Sequence, residues 1–140
     1  MWTSQRVSDV LRHHRLMKAR LKMVEDQLCY FGASSLTEHD IAIGIDCKNR
    51  IELVETWLTL LDMEERFIVE SHLIDGLDWA KVIVEYEKLW ERENGRAERT
   101  LKRIQSKALA RIADFMNASS FFGSDKFKQD DWLEEVQNDG

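Results

Sequence analysis

A chain of 140 residues without a single proline, and with only six glycines, contains almost nothing that interrupts a helix. Proline costs about 3 kcal/mol in a helix interior and glycine about 1 kcal/mol relative to alanine. Glu, Lys, Arg, Leu and Ala fill much of the rest, and apolar residues recur every three or four positions rather than every second one. Both features predict an all-α fold. Hydrophobic residues make up 44% of the chain and charged residues 33%, which is the balance of a folded domain rather than a disordered one. Apolar runs are only a few residues long, so no membrane span is expected. The start, MWTSQRVSDVLRHH, meets charge at once and does not read as a secretory signal. Cys29 and Cys47 have no CxxC spacing and are expected to be reduced core residues of a cytoplasmic protein.

Residues 3–31 read as one helix. Its apolar stripe, Val7, Val10, His14, Met17, Leu21, Val24, Leu28 and Phe31, keeps heptad phase from Val10 onward. Such a stripe suits a core helix packed within its own monomer or a helix that dimerises. The oligomerisation residues on the second reading are Val10, His14, Met17, Leu21, Val24, Leu28 and Phe31. Gly32 is expected to end the helix in a positive-φ conformation. A second helix is expected to start near Thr37 or Ser35, with Gly44 a point of interruption, and a long stretch from Asp46 to Leu61 follows. Residues 1–61 thus form a long helix or helical hairpin, an N-terminal assembly region.

Residues 62–116 form a second unit. Asp62 and Glu65 have the spacing of a capping box, opening a helix over Met63–Ile74. Asp75-Gly76 and Asn94-Gly95 are turn signals. Asp78 caps a helix that begins at Trp79, and a last strong helix runs from Arg96 or Ala97 to Met116. The apolar stripe expected there is Leu101, Ile104, Ala108, Leu109, Ile112 and Phe115. Asn117 to Ser120 is expected to break it. Residues 117–140 form an acidic tail with Phe121, Phe122, Phe127 and Trp132, and a short helix is expected near Asp130–Val136. That tail suits a cover for the domain's own core or a partner surface.

The net charge is −6, which by itself disfavours nucleic acid, but its distribution is uneven. Between residues 96 and 111 there are six basic groups and one acidic group. A local field counts over a Debye length of roughly 8 Å, so an acidic protein can bind DNA through one basic helix. Two capped helices, a turn and a basic helix are the parts of a helix-turn-helix, whose second helix enters the major groove. At 100° per residue Arg96, Arg99, Arg103 and Lys107 share a face, and Lys102 borders it. Arg99 and Arg103 are placed for base edges or nearby phosphates, Lys107 and Arg111 for the flanking backbone.

The order of these elements resembles a known family. Leu60-Leu61 with Glu65-Arg66, then Gly76-Leu77-Asp78-Trp79, then Arg99-Thr100-Leu101-Lys102-Arg103 followed by Ala108-Leu109 are similar to region 4 of bacterial sigma-70 factors. They are more similar still to the sigma-region-4-like phage regulators of the ArpU and RinA type. The resemblance implies a phage or prophage transcription regulator of late genes, acting in the cytoplasm of a bacterial host. It implies double-stranded DNA and bacterial RNA polymerase as partners, and adds Thr100 to the DNA-binding residues. Val84 to Gly95 is longer than the family's tight turn, so either the first motif helix is extended or the turn carries an insertion. The helices could instead form a protein–protein module that binds RNA polymerase or a repressor, or a small DNA-packaging component. No nucleophile–base set, phosphate loop or His/Cys metal spacing occurs, so neither enzymatic activity nor a cofactor or metal is expected. A homodimer is expected.

Overall fold

The computed structural model describes residues 1–90 and 98–119, and among them there are six α-helices and no strand. They are α1 (Ser4–Arg12), α2 (His14–Phe31), α3 (Glu38–Thr59), α4 (Met63–Val69), α5 (Trp79–Trp90) and α6 (Glu98–Ala118). The fold is all-α. None of these helices is long and apolar enough to cross a membrane. The Asn94-Gly95 turn, Arg96 and the expected helix at Asp130–Val136 lie outside the described residues.

The single helix expected over 3–31 is two helices, divided at His13 (φ −93°, ψ −1°). The His13 backbone N–H is shared between the carbonyls of Asp9 and Val10, both at 3.2 Å. Its ring Nδ1 lies 2.6 Å from the same Asp9 oxygen, so the side chain competes with the helical ladder for one acceptor. Neither Gly nor Pro marks the break in the sequence.

Helices α2 and α3 form an antiparallel hairpin. Gly32, at φ +82°, closes α2 and returns its N–H to the Leu28 carbonyl at 3.0 Å. A 3₁₀ turn, Ala33–Ser35, leads to Thr37. Thr37 Oγ1 accepts from the Asp40 N–H, and the Thr37 N–H donates to Asp40 Oδ2, which fixes the start of α3. Gly44 does not interrupt α3, contrary to expectation. A Cβ at Gly44 would lie 3.2 Å from Val24 Cγ1, so glycine here permits close approach of the two helices.

The larger core draws on α1, the first turns of α2, the second half of α3, α4 and the C-terminal half of α6. Its centre is Trp57, fully buried, with the ring of Trp2 edge-on at 5.4 Å. Asn117, expected to break α6, remains helical and ties the two ends of the bundle. Its Oδ1 accepts from the Trp2 N–H at 2.7 Å, and its Nδ2 donates to the Trp2 carbonyl at 2.9 Å. Cys47 is buried as expected, with its Sγ 3.8 Å from Met17 Sδ, and burial raises its pKa. Cys29 is exposed instead of buried, at the end of α2 where Leu28, Tyr30 and Phe31 are exposed as well.

Two histidines couple the fold to pH. Burial, reinforced by Lys18, lowers the pKa of His14 against the opposing pull of Glu55 and Glu70. Burial also lowers that of His72, with Arg12 and Lys102 acting in the same direction and the hydrogen bond to Gln105 opposing. The folded state therefore binds these protons less readily than the unfolded chain, whose histidines titrate near the ordinary value of about 6.5. Their neutral forms support the fold fully above that value. Stability falls as pH drops below it, by at most about 1.4 kcal/mol per pH unit for each histidine, and levels off below the folded-state pKa. Urea midpoints between pH 7.5 and pH 5 should decline accordingly, and His14→Phe should reduce the slope.

Candidate nucleic-acid interface

Helix α4 opens with the capping box anticipated from Asp62 and Glu65. Asp62 Oδ1 accepts from the Glu65 N–H at 2.8 Å, and Glu65 Oε1 accepts from the Asp62 N–H at 3.1 Å. Its continuation, Glu70–Ile74, widens into a π turn, with the Asp75 N–H bonding to the Glu70 carbonyl at 2.8 Å. Gly76, at φ +73°, then turns the chain toward α5. Asp78 Oδ1 accepts from the Lys81 N–H at 2.9 Å and caps that helix.

Helices α4, α5 and α6 close a second, smaller core of Ile68, Val82, Tyr86 and Leu101, rimmed by Phe67, Trp79, Trp90 and Ile104 among others. Tyr86 stacks on Trp90 at 4.6 Å and donates its hydroxyl to Glu64 Oε2 at 2.9 Å. On the other side His72 stacks on Trp79 at 3.9 Å, and its Nδ1 lies 2.9 Å from Gln105 Oε1. Helix α5 runs to Trp90, and the connection to α6 falls in residues 91–97, outside the described residues. These contacts anchor one face of α6 and leave the opposite face to solvent.

The basic residues of α6 divide into two groups. Arg99, Arg103 and Lys107 are exposed, with no ion pair to another described residue. Between and beyond them stand Ser106 and Ala110, also exposed. Arg99, Arg103, Ser106 and Ala110 follow at intervals of four, three and four, so all four lie on the outward side. The charge count alone did not identify Ser106 and Ala110, although their spacing contained them. Small residues there let another surface approach the helix backbone between cationic side chains.

The second group has protein partners. Arg111 Nη1 reaches Glu65 Oε1 at 2.6 Å and locks α6 to the start of α4. Lys102 pairs with Glu98 at 3.4 Å and lies 6.0 Å from the Trp79 ring centre. Thr100 is half-buried. The expected buried stripe is corrected at its end, since Phe115 is 36% exposed and Met116 is buried in its place. One helical position separates them, and the fully packed direction of α6 drifts toward α1 at that end.

Of the stripe read as an oligomerisation seam, Val10, His14 and Met17 are buried within the monomer. Leu21 and Val24 are half-buried, and Leu28 and Phe31 are exposed. No family model, no curated protein and no solved structure matches the chain.

Proposed function

We propose that the protein is a sequence-specific DNA-binding transcription regulator that places α6 in the major groove of double-stranded DNA. One observation carries the reading. A helix held by two cores on its inner side presents Arg99, Arg103 and Lys107 outward around the small residues Ser106 and Ala110. A major groove about 12 Å wide admits such a helix, and guanidinium groups serve both base edges and phosphates. Helix α5, capped by Asp78 and packed on α4, is the supporting helix. The similarity of these segments to sigma-70 region 4 and to ArpU- and RinA-type regulators supplies the rest of the proposal. On it the protein is phage or prophage encoded, acts on late genes in a bacterial cytoplasm as a dimer, and meets RNA polymerase at the promoter.

Fluorescence anisotropy on a labelled duplex from upstream of the gene's own operon, titrated at several salt concentrations, tests this. Three cations on phosphates give a slope of log K against log salt of about −3. A random-sequence competitor should displace the protein less well than the labelled site. Absence of binding to any duplex at low salt would remove DNA from the proposal.

A further inference from the structure

Helix α2 carries a second heptad seam. Leu16, Arg20, Met23, Gln27 and Tyr30 follow one another at intervals of four, three, four and three residues. At 100° per residue this row lies about a third of a turn from Leu21 and Val24, the residues that face α3. Its three apolar members are uncovered: Leu16 is 40%, Met23 72% and Tyr30 76% exposed. Between residues 18 and 46 only Gly44 is buried, so the outer part of the hairpin leaves its apolar surface to solvent. Exposed Met and Tyr at heptad spacing form a coherent stripe rather than scattered apolar residues.

The seam is self-complementary. Leu16 and Tyr30 stand seven residues on either side of Met23. Beside it Arg20, Met23, Val24 and Gln27 of α2 and Asp40 and Ile43 of α3 line a groove of about 250 Å³. A cation lies at one end of that groove and a carboxylate at the other, because α2 and α3 run antiparallel. A second copy related by a two-fold axis through Met23, with the two α2 helices antiparallel, sets Leu16 against the partner's Tyr30. It brings Arg20 to the end of the partner's groove that holds Gln27 and Asp40. Parallel pairing would instead set Arg20 against its own copy, and like charges across a seam are repulsive. A two-fold contact of this kind uses one patch on both subunits and closes on itself.

We infer that the chain dimerises through this outer seam of α2, hairpin against hairpin, with Met23 on the two-fold axis. The inference rests on the dimer included in the proposed function and specifies its surface, but it needs no DNA. The heptad that runs from Val10 to Val24 serves the monomer's own core, and the second seam serves the pair.

Sedimentation velocity of the full chain tests it. The parent protein should sediment as a dimer of about 33 kDa, twice 16.5 kDa, at tens of micromolar. Met23→Glu places two carboxylates together at the axis and should raise the dimer dissociation constant about 100-fold with an unchanged helical circular dichroism spectrum. Ile45→Glu, on the opposite side of the hairpin, should leave the dimer intact. In a Cys29→Ser background, Met23→Cys should form a disulfide-linked dimer on mild oxidation. A dimer that survives Met23→Glu but dissociates with Ile45→Glu overturns the proposed surface and retains the dimer. A parent protein that stays at 16.5 kDa overturns both. Anisotropy of the Met23→Glu protein on DNA then judges the DNA reading separately.

Discussion

A protein in which Arg99, Arg103 and Lys107 are all alanine should bind duplex DNA about 100-fold more weakly than the parent and lose most of its salt dependence. Each lost contact contributes at least about 1 kcal/mol, and three together reach two orders of magnitude. Single variants resolve roles within the set. An arginine that reads a base should, when replaced, relax specificity at one position, whereas loss of a phosphate contact weakens all sequences alike. Arg111→Ala is the informative contrast, because its guanidinium sits 2.6 Å from Glu65. The Glu65 side chain is 7% exposed and the Arg111 side chain 52%. Removing the arginine leaves a buried carboxylate with the Asp62 N–H as its remaining partner. A fully buried pair would cost about 3–5 kcal/mol to break, and the exposure of Arg111 reduces this to about 1–3 kcal/mol. Arg111→Ala should therefore lower the urea midpoint and leave DNA affinity near that of the parent. DNA affinity unchanged in the triple variant would exclude the outward face of α6 as the interface.

How much of this was legible in the sequence depended on whether the determinant was local. The capping residues Thr37, Asp62 and Asp78 act on backbone N–H groups three residues away, so spacing alone placed the helix starts at Asp62 and Asp78 and narrowed the other to Thr37 or Ser35, of which the structure selects Thr37. The positive φ of Gly32 and Gly76 is likewise a local requirement. Gly44 was misleading because its role is set by Val24, twenty residues distant in sequence. The break at His13 was invisible because it arises from a His side chain near an ordinary helical carbonyl, with no proline or glycine involved.

The candidate site divides in the same way. Periodicity identified which residues of α6 face away from the core, and Arg99, Arg103 and Lys107 do so. It could not distinguish these from Arg111, because the distinguishing partner, Glu65, lies 46 residues earlier on another helix. Nor could the heptad on α2 say which partner it meets. An antiparallel helix within the chain and a second copy both satisfy a stripe of that period. Only the folded chain shows that Val10, His14 and Met17 are buried within the monomer while Leu16, Met23 and Tyr30 are exposed.

The largest loss of stability is expected at Trp57. Its side chain is fully buried in the larger core, and Trp2, just ahead of α1, packs against it edge-on. Trp57→Ala should cost about 3–5 kcal/mol, made up of lost transfer free energy and the cavity left behind. That is a large share of the roughly 5–15 kcal/mol typical of a domain. Trp57→Phe should behave differently. The indole Nε1 is buried without a hydrogen-bond partner among the described residues. An unpaired buried donor carries a penalty of about 1–3 kcal/mol, and phenylalanine removes the donor while keeping most of the ring. The relief offsets much of the smaller cavity, so Trp57→Phe should cost less than about 1.5 kcal/mol. A double-mutant cycle pairing Trp2→Ala with Trp57→Ala should return a coupling of about 0.5–1.5 kcal/mol for the edge-to-face pair. The same cycle with Trp57→Phe should return a smaller coupling, because an aromatic ring still faces Trp2. Urea denaturation followed by circular dichroism measures all of these. If Trp57→Phe costs as much as Trp57→Ala, the indole N–H has a partner in solution, such as a buried water, and the core around Trp57 is not dry.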